Sequence, residues 1–194
     1  MTNFKEYSGE KAKEILFSQS TERMNIGKGM LIGTKDTEKG RPNIMTATWG
    51  GVGIMWRRAV CFCAIRHGRY TYKNIEGSVG VGISLSFLAP TQDNARVLAF
   101  CGGHSGADTD KFAECRIGCA YSESGIPYVA DADSVILCRP IYSQDIKKEG
   151  FEHFRDNCEC TNSQKSEADL FSQFYSDGDI HRMYICEIEK ILQR

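Results

Sequence analysis

The chain has 194 residues, 41% of them hydrophobic, and a net charge of −1 from 24 basic and 25 acidic side chains. That length suits one domain over residues 1–194 with a single sizeable core, and the balanced charge leaves no basic footprint for nucleic acid or an anionic membrane surface. The N-terminal Met1-Thr-Asn-Phe-Lys-Glu runs straight into charged sequence, and no later apolar run approaches a membrane span, so a cytoplasmic protein is expected.

In chain order, Ser8 can cap a short helix through Phe17, and Gly29 to Gly33 reads as a strand entering the polar turn Lys35 to Pro42, with Ile44 to Trp49 returning as its partner. Ala59 to Ile65 and Val79 to Phe87 are apolar and strand-like, the second weakened by Gly80 and Gly82. Tyr70 to Glu76 between them suits one or two helical turns. Gln92 to Phe100 and Thr109 to Cys115 read as helices, Ser134 to Ile146 as a long strand and Arg182 to Leu192 as a final one. Residues 147–178 form a polar excursion, read as mobile and carrying helical turns. No internal repeat appears, and the predominance of strands with a few short helices points to a closed or nearly closed antiparallel barrel.

Nine cysteines are an odd count, and most sit in apolar runs such as Val60-Cys61-Phe62-Cys63-Ala64, which fits buried reduced thiols better than a disulfide framework. Cys158 and Cys160 are close together in polar sequence, but no second pair at ligand spacing accompanies them, so no metal site is expected.

Four segments carry candidate chemistry. Asn43-Ile-Met-Thr-Ala-Thr-Trp-Gly-Gly-Val-Gly-Ile-Met-Trp56 reads as a strand breaking into a glycine-rich turn. The amides of Thr48, Trp49 and Gly50 could there meet the acceptor atoms of a flat ring such as an isoalloxazine; the same segment also reads as an ordinary hairpin with a packed tryptophan. Arg66-His-Gly-Arg69-Tyr-Thr-Tyr72 places two guanidinium groups and the hydroxyls of Tyr70 and Thr71 at a helix start, which suits an FMN phosphate or, equally, a solvated turn. In Cys101-Gly-Gly-His-Ser-Gly-Ala-Asp-Thr-Asp-Lys-Phe112, Ser105 and the Gly106 amide could meet an anion. The plainer account has Asp108 or Thr109 capping the helix and Lys111 solvated. His181, in Gly178-Asp-Ile-His-Arg-Met-Tyr184, is a weak candidate for a role near a bound ring and more readily completes a structural network. Nucleophile elbows and a dinucleotide fingerprint are absent.

Taken together, these motifs resemble the flavin reductase-like family, including flavoredoxins, in order and spacing over residues 25–192. The resemblance implies a mainly β fold with short inserted helices, an FMN-binding split β-barrel, and a homodimer. It implies cofactor contacts from Thr46, Ala47, Thr48, Trp49 and Gly50 at the ring, and from Arg66, Arg69, Tyr70, Thr71, Ser105, Gly106 and Lys111 at the phosphate end. Ala59, His67 and Ala107 depart from the family pattern, and Ala107 stands where an arginine would offer a phosphate contact. No catalytic side chain is required, because the flavin carries the chemistry. The implied activity is an NAD(P)H-dependent flavin or ferric reductase, with NAD(P)H docking transiently and electrons leaving to free flavin, a ferric chelate or a protein. The alternatives are a flavoredoxin-type carrier reduced by a redox protein and a flavin-free interaction barrel.

Overall fold

Alternation of side chains along the strands separates two interiors. A computed structural model describes residues 4–18, 29–36, 38–78, 80–155 and 167–194. Its strands are β1 (Lys5–Tyr7), β2 (Met30–Lys35), β3 (Pro42–Ala47), β4 (Gly50–Met55), β5 (Arg58–Arg66), β6 (Ile83–Phe87), β7 (Cys119–Tyr121), β8 (Pro127–Val129), β9 (Ser134–Asp145) and β10 (His181–Gln193). The helices are α1 (Gly9–Ser18), α2 (Tyr70–Glu76), α3 (Gln92–Gly103), α4 (Lys111–Cys115), α5 (Lys148–Arg155) and α6 (Glu167–Tyr175).

One antiparallel sheet of eight strands runs β3-β2-β6-β9-β10-β5-β4, with β1 also on β10. Only Thr48 and Trp49 separate β3 from β4 in the chain, yet these strands end the hydrogen-bonded path at opposite sides. The sheet must therefore curl until its ends meet, and the Ala64 amide stitches the crossing to β5 by donating to the Trp49 carbonyl at 3.1 Å. Register shifts between β10 and β9 at Ile185/Cys186 and Ile188/Lys190 add local curvature. The expected fold class, mainly β with short helices in a split barrel, is what the chain forms.

Met30, Ile32, Cys61, Cys63, Ile65, Leu85, Ile136, Cys138 and Cys186 fill the barrel. Their neighbours Leu31, Ile44, Val135 and Leu137 face the other way and pack against Val97, Cys101 and Phe112 of α3 and α4 and against the β7–β8 hairpin. The seven described cysteines are free thiols, and the sulfur atoms of Cys61, Cys138 and Cys186 lie within 4.8 Å of one another inside the barrel. Cys158 and Cys160 lie outside the described residues.

Several expectations change. Gly50–Met55 is a strand, and the chain reverses only at Trp56-Arg57, both at positive φ (51° and 60°) as a two-residue hairpin requires. The glycines serve close approach: a Cβ on Gly51 would lie 2.5 Å from the Phe62 ring, and one on Gly50 2.6 Å from the Phe62 carbonyl oxygen. The strand expected from Val79 starts at Ile83, because Gly80 adopts φ +87° and Gly82 packs too closely on Ile126 for any side chain; Val79 itself lies outside the described residues. Asp110 caps α4 by accepting from the Ala113 amide at 3.1 Å, displacing both Asp108 and Thr109 from that role. The short β1 strand and β7–β8 hairpin had no sequence signal. Within 147–178, the described ends are the helices α5 and α6. No helix among the described residues is long and apolar enough to cross a membrane.

An ionic network pins the end of α2 to the sheet. Asp145 accepts from Arg182 Nε at 2.7 Å and Nη2 at 3.2 Å, with His67 Nε2 2.9 Å away, while Glu76 accepts from Arg182 Nη1 at 2.9 Å and from the Tyr184 hydroxyl at 2.7 Å. The Arg182 hydrogen bonds, helped by His67, hold the Asp145 carboxyl down at about 2. An unfolded aspartate titrates at about 3.9, so this stabilisation is complete above that pH and is lost as pH falls toward 2. Asp145→Asn is expected to cost about 1–2 kcal/mol at pH 7 after solvent screening and to flatten the acid limb between about pH 4 and 2. Urea unfolding at a series of pH values measures both.

Candidate functional site

Three segments converge beside the β3–β4 crossing: the crossing itself, the β5–α2 turn, and the loop joining α3 to α4. They line two adjoining clefts. The larger, of about 300 Å³, is bounded by Met45, Thr46, Ala47, Thr48, Trp49, Ala64, Ile65, Arg66, Arg69, Gly102 and His181. The smaller, of about 150 Å³, is bounded by Met45, Gly68, Arg69, Tyr70, Thr71, Gly103, His104, Ser105, Gly106 and Lys111. Met45 and Arg69 belong to both, so the clefts form one elongated groove of a size ordinary for small-molecule sites.

Each end of the groove has its own donors. Thr48 and Trp49 belong to neither ladder, and their amides donate to no other described residue. At the smaller end, Arg69 caps α2 without a side-chain hydrogen bond to its amides, and the first-turn amides of Tyr70 and Thr71 have no intrahelical acceptor. The Ser105 and Gly106 amides are likewise unpaired within the described residues.

Two cations complete the smaller end. Lys111, read in the sequence either as solvated or as a phosphate contact, is 4% exposed, and its Nζ donates to the Ile44 carbonyl at 2.8 Å and the Cys101 carbonyl at 2.9 Å. Burial, reinforced by nearby Arg69, pushes its ammonium down to about 8. An ammonium has three donors, and the third has no partner among the described residues. Arg69 donates from Nη2 to the Gly102 carbonyl at 2.6 Å and from Nε to Met45 Sδ at 3.4 Å. Neither cation has a carboxylate partner among the described residues.

Other residues expected to bind a ligand are committed to the scaffold. Arg66 donates from Nη1 to Asp177 at 2.8 and 3.1 Å and to the Asp179 carbonyl at 3.1 Å, and from Nη2 to the Phe174 carbonyl at 2.6 Å. It therefore clamps the end of α6 against the groove. The Tyr70 hydroxyl donates to Asp36 at 2.7 Å, a bond that pushes the phenol up to about 12. Thr71 Oγ1 accepts from the Asn43 amide at 3.0 Å, Ser105 Oγ from the Ala107 amide at 3.2 Å, and Thr46 Oγ1 donates to the Leu98 carbonyl at 2.6 Å. Gly50 pairs with Cys63 in the β4–β5 ladder and lines neither cleft. At the smaller end, backbone amides, the two cations without carboxylates and the O–H donors that Thr71 and Ser105 keep while accepting are what remains for an anion.

The larger end is walled by aromatics. The His181 ring lies 4.3 Å from that of Trp49, tilted by 31°, and Phe174 meets Trp49 edge-on at 5.2 Å. His181 Nδ1 lies 3.2 Å from the Tyr175 hydroxyl. Burial and the charge of Arg66 push the imidazole down to about 4, so it is neutral at pH 7.

Sequence reading missed Met45, Ala64, Ile65 and Gly102 as lining residues, together with two supports of the loop. Arg41 donates to the Gly106 and Ala107 carbonyls at 2.6 and 3.1 Å, bringing a cation from the β2–β3 turn to the stretch where Ala107 lacks one. Asn43 Oδ1 is buried without a partner, and a Cβ on Gly106 would fall 1.8 Å from it. Arg41 and Asn43 had no local signal, since their partners lie far along the chain.

A family model described as the flavin reductase like domain matches residues 24–193. Among solved structures, an FMN-binding protein from Thermus thermophilus with bound p-hydroxybenzaldehyde aligns at TM-score 0.59 and 14% identity, covering 86% of this chain and 71% of that one. The flavoredoxin of Desulfovibrio vulgaris (Miyazaki F) aligns at 0.57 and 22%, covering 84% and 67%. An FMN-binding domain of a flavin reductases-like enzyme from Shewanella baltica OS155 aligns at 0.60 and 15%, covering 100% and 79%. At these identities the likeness speaks for the fold. A search of curated proteins finds no match. With its barrel, its groove and a match over most of its length, the chain belongs to the flavin reductase-like domain family.

Proposed function

We propose that the groove binds FMN, ring in the larger cleft and phosphate in the smaller, and that the protein works as an NAD(P)H-dependent flavin or ferric reductase. The observation that carries this reading is the sorting of unpaired donors: two uncharged amides at the apolar end, and two cations without carboxylates at the other. A flat polar heterocycle joined to a dianion matches that pattern. When bound, FMN supplies hydride acceptance at N5 and onward electron transfer.

The residues have simpler tasks. Thr48 and Trp49 offer amides to ring acceptors, while Met45, Ala47 and Ile65 form apolar wall. Arg69, Lys111 and the amides of Tyr70, Thr71, Ser105 and Gly106 hold the phosphate. His181, neutral at working pH, contributes a flat surface beside Trp49. NAD(P)H stacks transiently, since the chain carries no dinucleotide fingerprint. That absence also favours a second reading, a flavoredoxin-type carrier reduced by a partner protein. Anaerobic stopped-flow mixing of the FMN-loaded protein with NADH and with NADPH separates them: bleaching of the flavin band supports the reductase, and flavin that stays oxidised leaves the carrier.

The phosphate assignment has two consequences for affinity. Arg69→Ala is expected to weaken FMN binding by about 1–3 kcal/mol, the range for a hydrogen bond to a charged group. Lys111 must be protonated to hold the phosphate, and the anion raises the pKa of the bound ammonium, so binding takes up a proton and weakens as pH rises past about 8. Fluorescence titration of FMN between pH 6 and 10 tests this, and a flat profile removes Lys111 from the site.

Ile54 (51% exposed), Met55, Trp56 (56%), Phe62 and Tyr142 leave an apolar surface along the edge strand β4 and its neighbours. We propose that a second copy of the chain covers it, giving a homodimer. Sedimentation equilibrium should return a mass near twice 21.7 kDa, and a mass near one chain refutes the dimer.

A further inference from the structure

Cys101, in the last turn of α3, and Cys115, the last residue of α4, bring their sulfur atoms to 3.9 Å. Cys101 is buried and Cys115 is partly exposed. Between them runs the loop that carries Ser105 and Gly106, followed by Lys111 at the start of α4. The Cys101 carbonyl holds Lys111, and the adjacent Gly102 carbonyl holds Arg69. The thiol pair is thus the hinge pin of the cationic end of the groove.

We propose that Cys101 and Cys115 are a thiol–disulfide modification site, oxidised by a small-molecule disulfide of the glutathione class, and that the crosslink fixes the α3–α4 cradle in its binding geometry. Closing the 3.9 Å sulfur contact to a bond needs an approach of about 2 Å. The effect on flavin rests on the FMN reading above; the crosslink itself does not.

Accessibility and charge set the order of events. Cys115 is the partly exposed member; burial pushes its thiol up, the contact with Cys101 and the charge of Lys111 offset part of that rise, and burial pushes Cys101 further, up to about 12, so Cys115 is the member that attacks first. The Cys115 thiolate attacks glutathione disulfide, the glutathione S–S bond breaks, and one glutathione thiolate leaves. Cys101 sulfur then attacks Cys115 sulfur, breaking the mixed disulfide, and the second glutathione thiolate departs with the Cys101 proton. The pair loses two electrons, and one small disulfide is reduced to two thiols.

Other described cysteines are poorly placed for this chemistry. Cys61, Cys63, Cys138 and Cys186 are all buried inside the barrel with no exposed member to begin the exchange. Cys119 is partly exposed, and its sulfur contacts the Ala120 carbonyl. It serves as the control.

The test treats the full chain with glutathione disulfide or with dithiothreitol, alkylates remaining thiols and maps peptides by mass. A Cys101–Cys115 linkage, lighter by about 2 Da than the dithiol, is expected in the wild type and in Cys119→Ser, and not in Cys115→Ser. The oxidised protein should melt roughly 6–12 °C higher, because the bond closes a loop of about 15 residues in the unfolded chain. FMN release should slow by a factor of about 2–10, as expected for a pre-organised cradle. Absence of the linkage, or a linkage that leaves the melting temperature unchanged, overturns the proposal. A linked, stabilised protein that releases FMN at the unchanged rate overturns the coupling to the cradle. One that binds no FMN in either redox state supports the crosslink and refutes the flavin reading instead.

Discussion

Closure of the sheet through a two-residue crossing governs both the fold and the groove. A barrel whose hydrogen-bonded path begins at β3 and ends at β4 can be closed by the chain itself only if the link between them spans the seam. Thr48 and Trp49 do so, and in doing so leave both ladders. Backbone groups inside a ladder are satisfied by their neighbours, whereas an unpaired amide removed from water costs on the order of 1–3 kcal/mol. The two amides of the crossing escape that cost because they stand at the wall of an open cleft. The same geometry explains Gly50 and Gly51, which let β4 pass close to Met30 and the Phe62 ring immediately after the seam.

The second constraint is the distribution of carboxylates. This chain has 25 acidic side chains, and several arginines use them: Arg58 pairs with Glu187, Arg66 with Asp177, and Arg182 with Asp145 and Glu76. Arg69 stands three positions from Arg66 on the same turn and is held by a carbonyl and a thioether instead. Lys111 is buried against two carbonyls, which orient the ammonium without neutralising it. Desolvation works against a buried cation, and its persistence without an acid partner is most simply met by an anion that arrives from outside. The turn therefore divides its two arginines: Arg66 is held by a carboxylate and Arg69 is not.

Much of the barrel was legible because local pattern and burial agree. In β5 the alternation Ala59, Cys61, Cys63, Ile65 faces the barrel interior, and the boundaries of α2 match its polar, helix-compatible run. The glycine-rich segment was misread because glycine marks close approach as well as turns, and the Phe62 ring that demands it is a cross-strand neighbour, invisible to local pattern. The site residues were named from donor chemistry, which does not reveal who already holds each donor. Tyr70 is held by Asp36 and Arg66 by Asp177, both partners distant in sequence. Lys111 reads two ways in the sequence, as solvated after a capping motif or as a phosphate contact, and its burial appears only in the folded α3–α4 junction.

What the groove lacks is as directive as what it holds. Its larger end presents amides, apolar side chains and a neutral imidazole, because burial and the nearby Arg66 keep His181 uncharged. The charge of Arg66 is itself met by Asp177, with Asp179 close by, whereas no carboxylate among the described residues meets the cations of the smaller end. At the other end Arg69 and Lys111 act uncompensated, and at an effective dielectric near 20 each close contact with a phosphate charge is worth about 4 kcal/mol before desolvation. Even a fraction of that difference fixes one orientation for a ligand with an uncharged ring and an anionic tail. In the reading proposed above, the protein sets that orientation with position and charge, and leaves the electron chemistry to the ring.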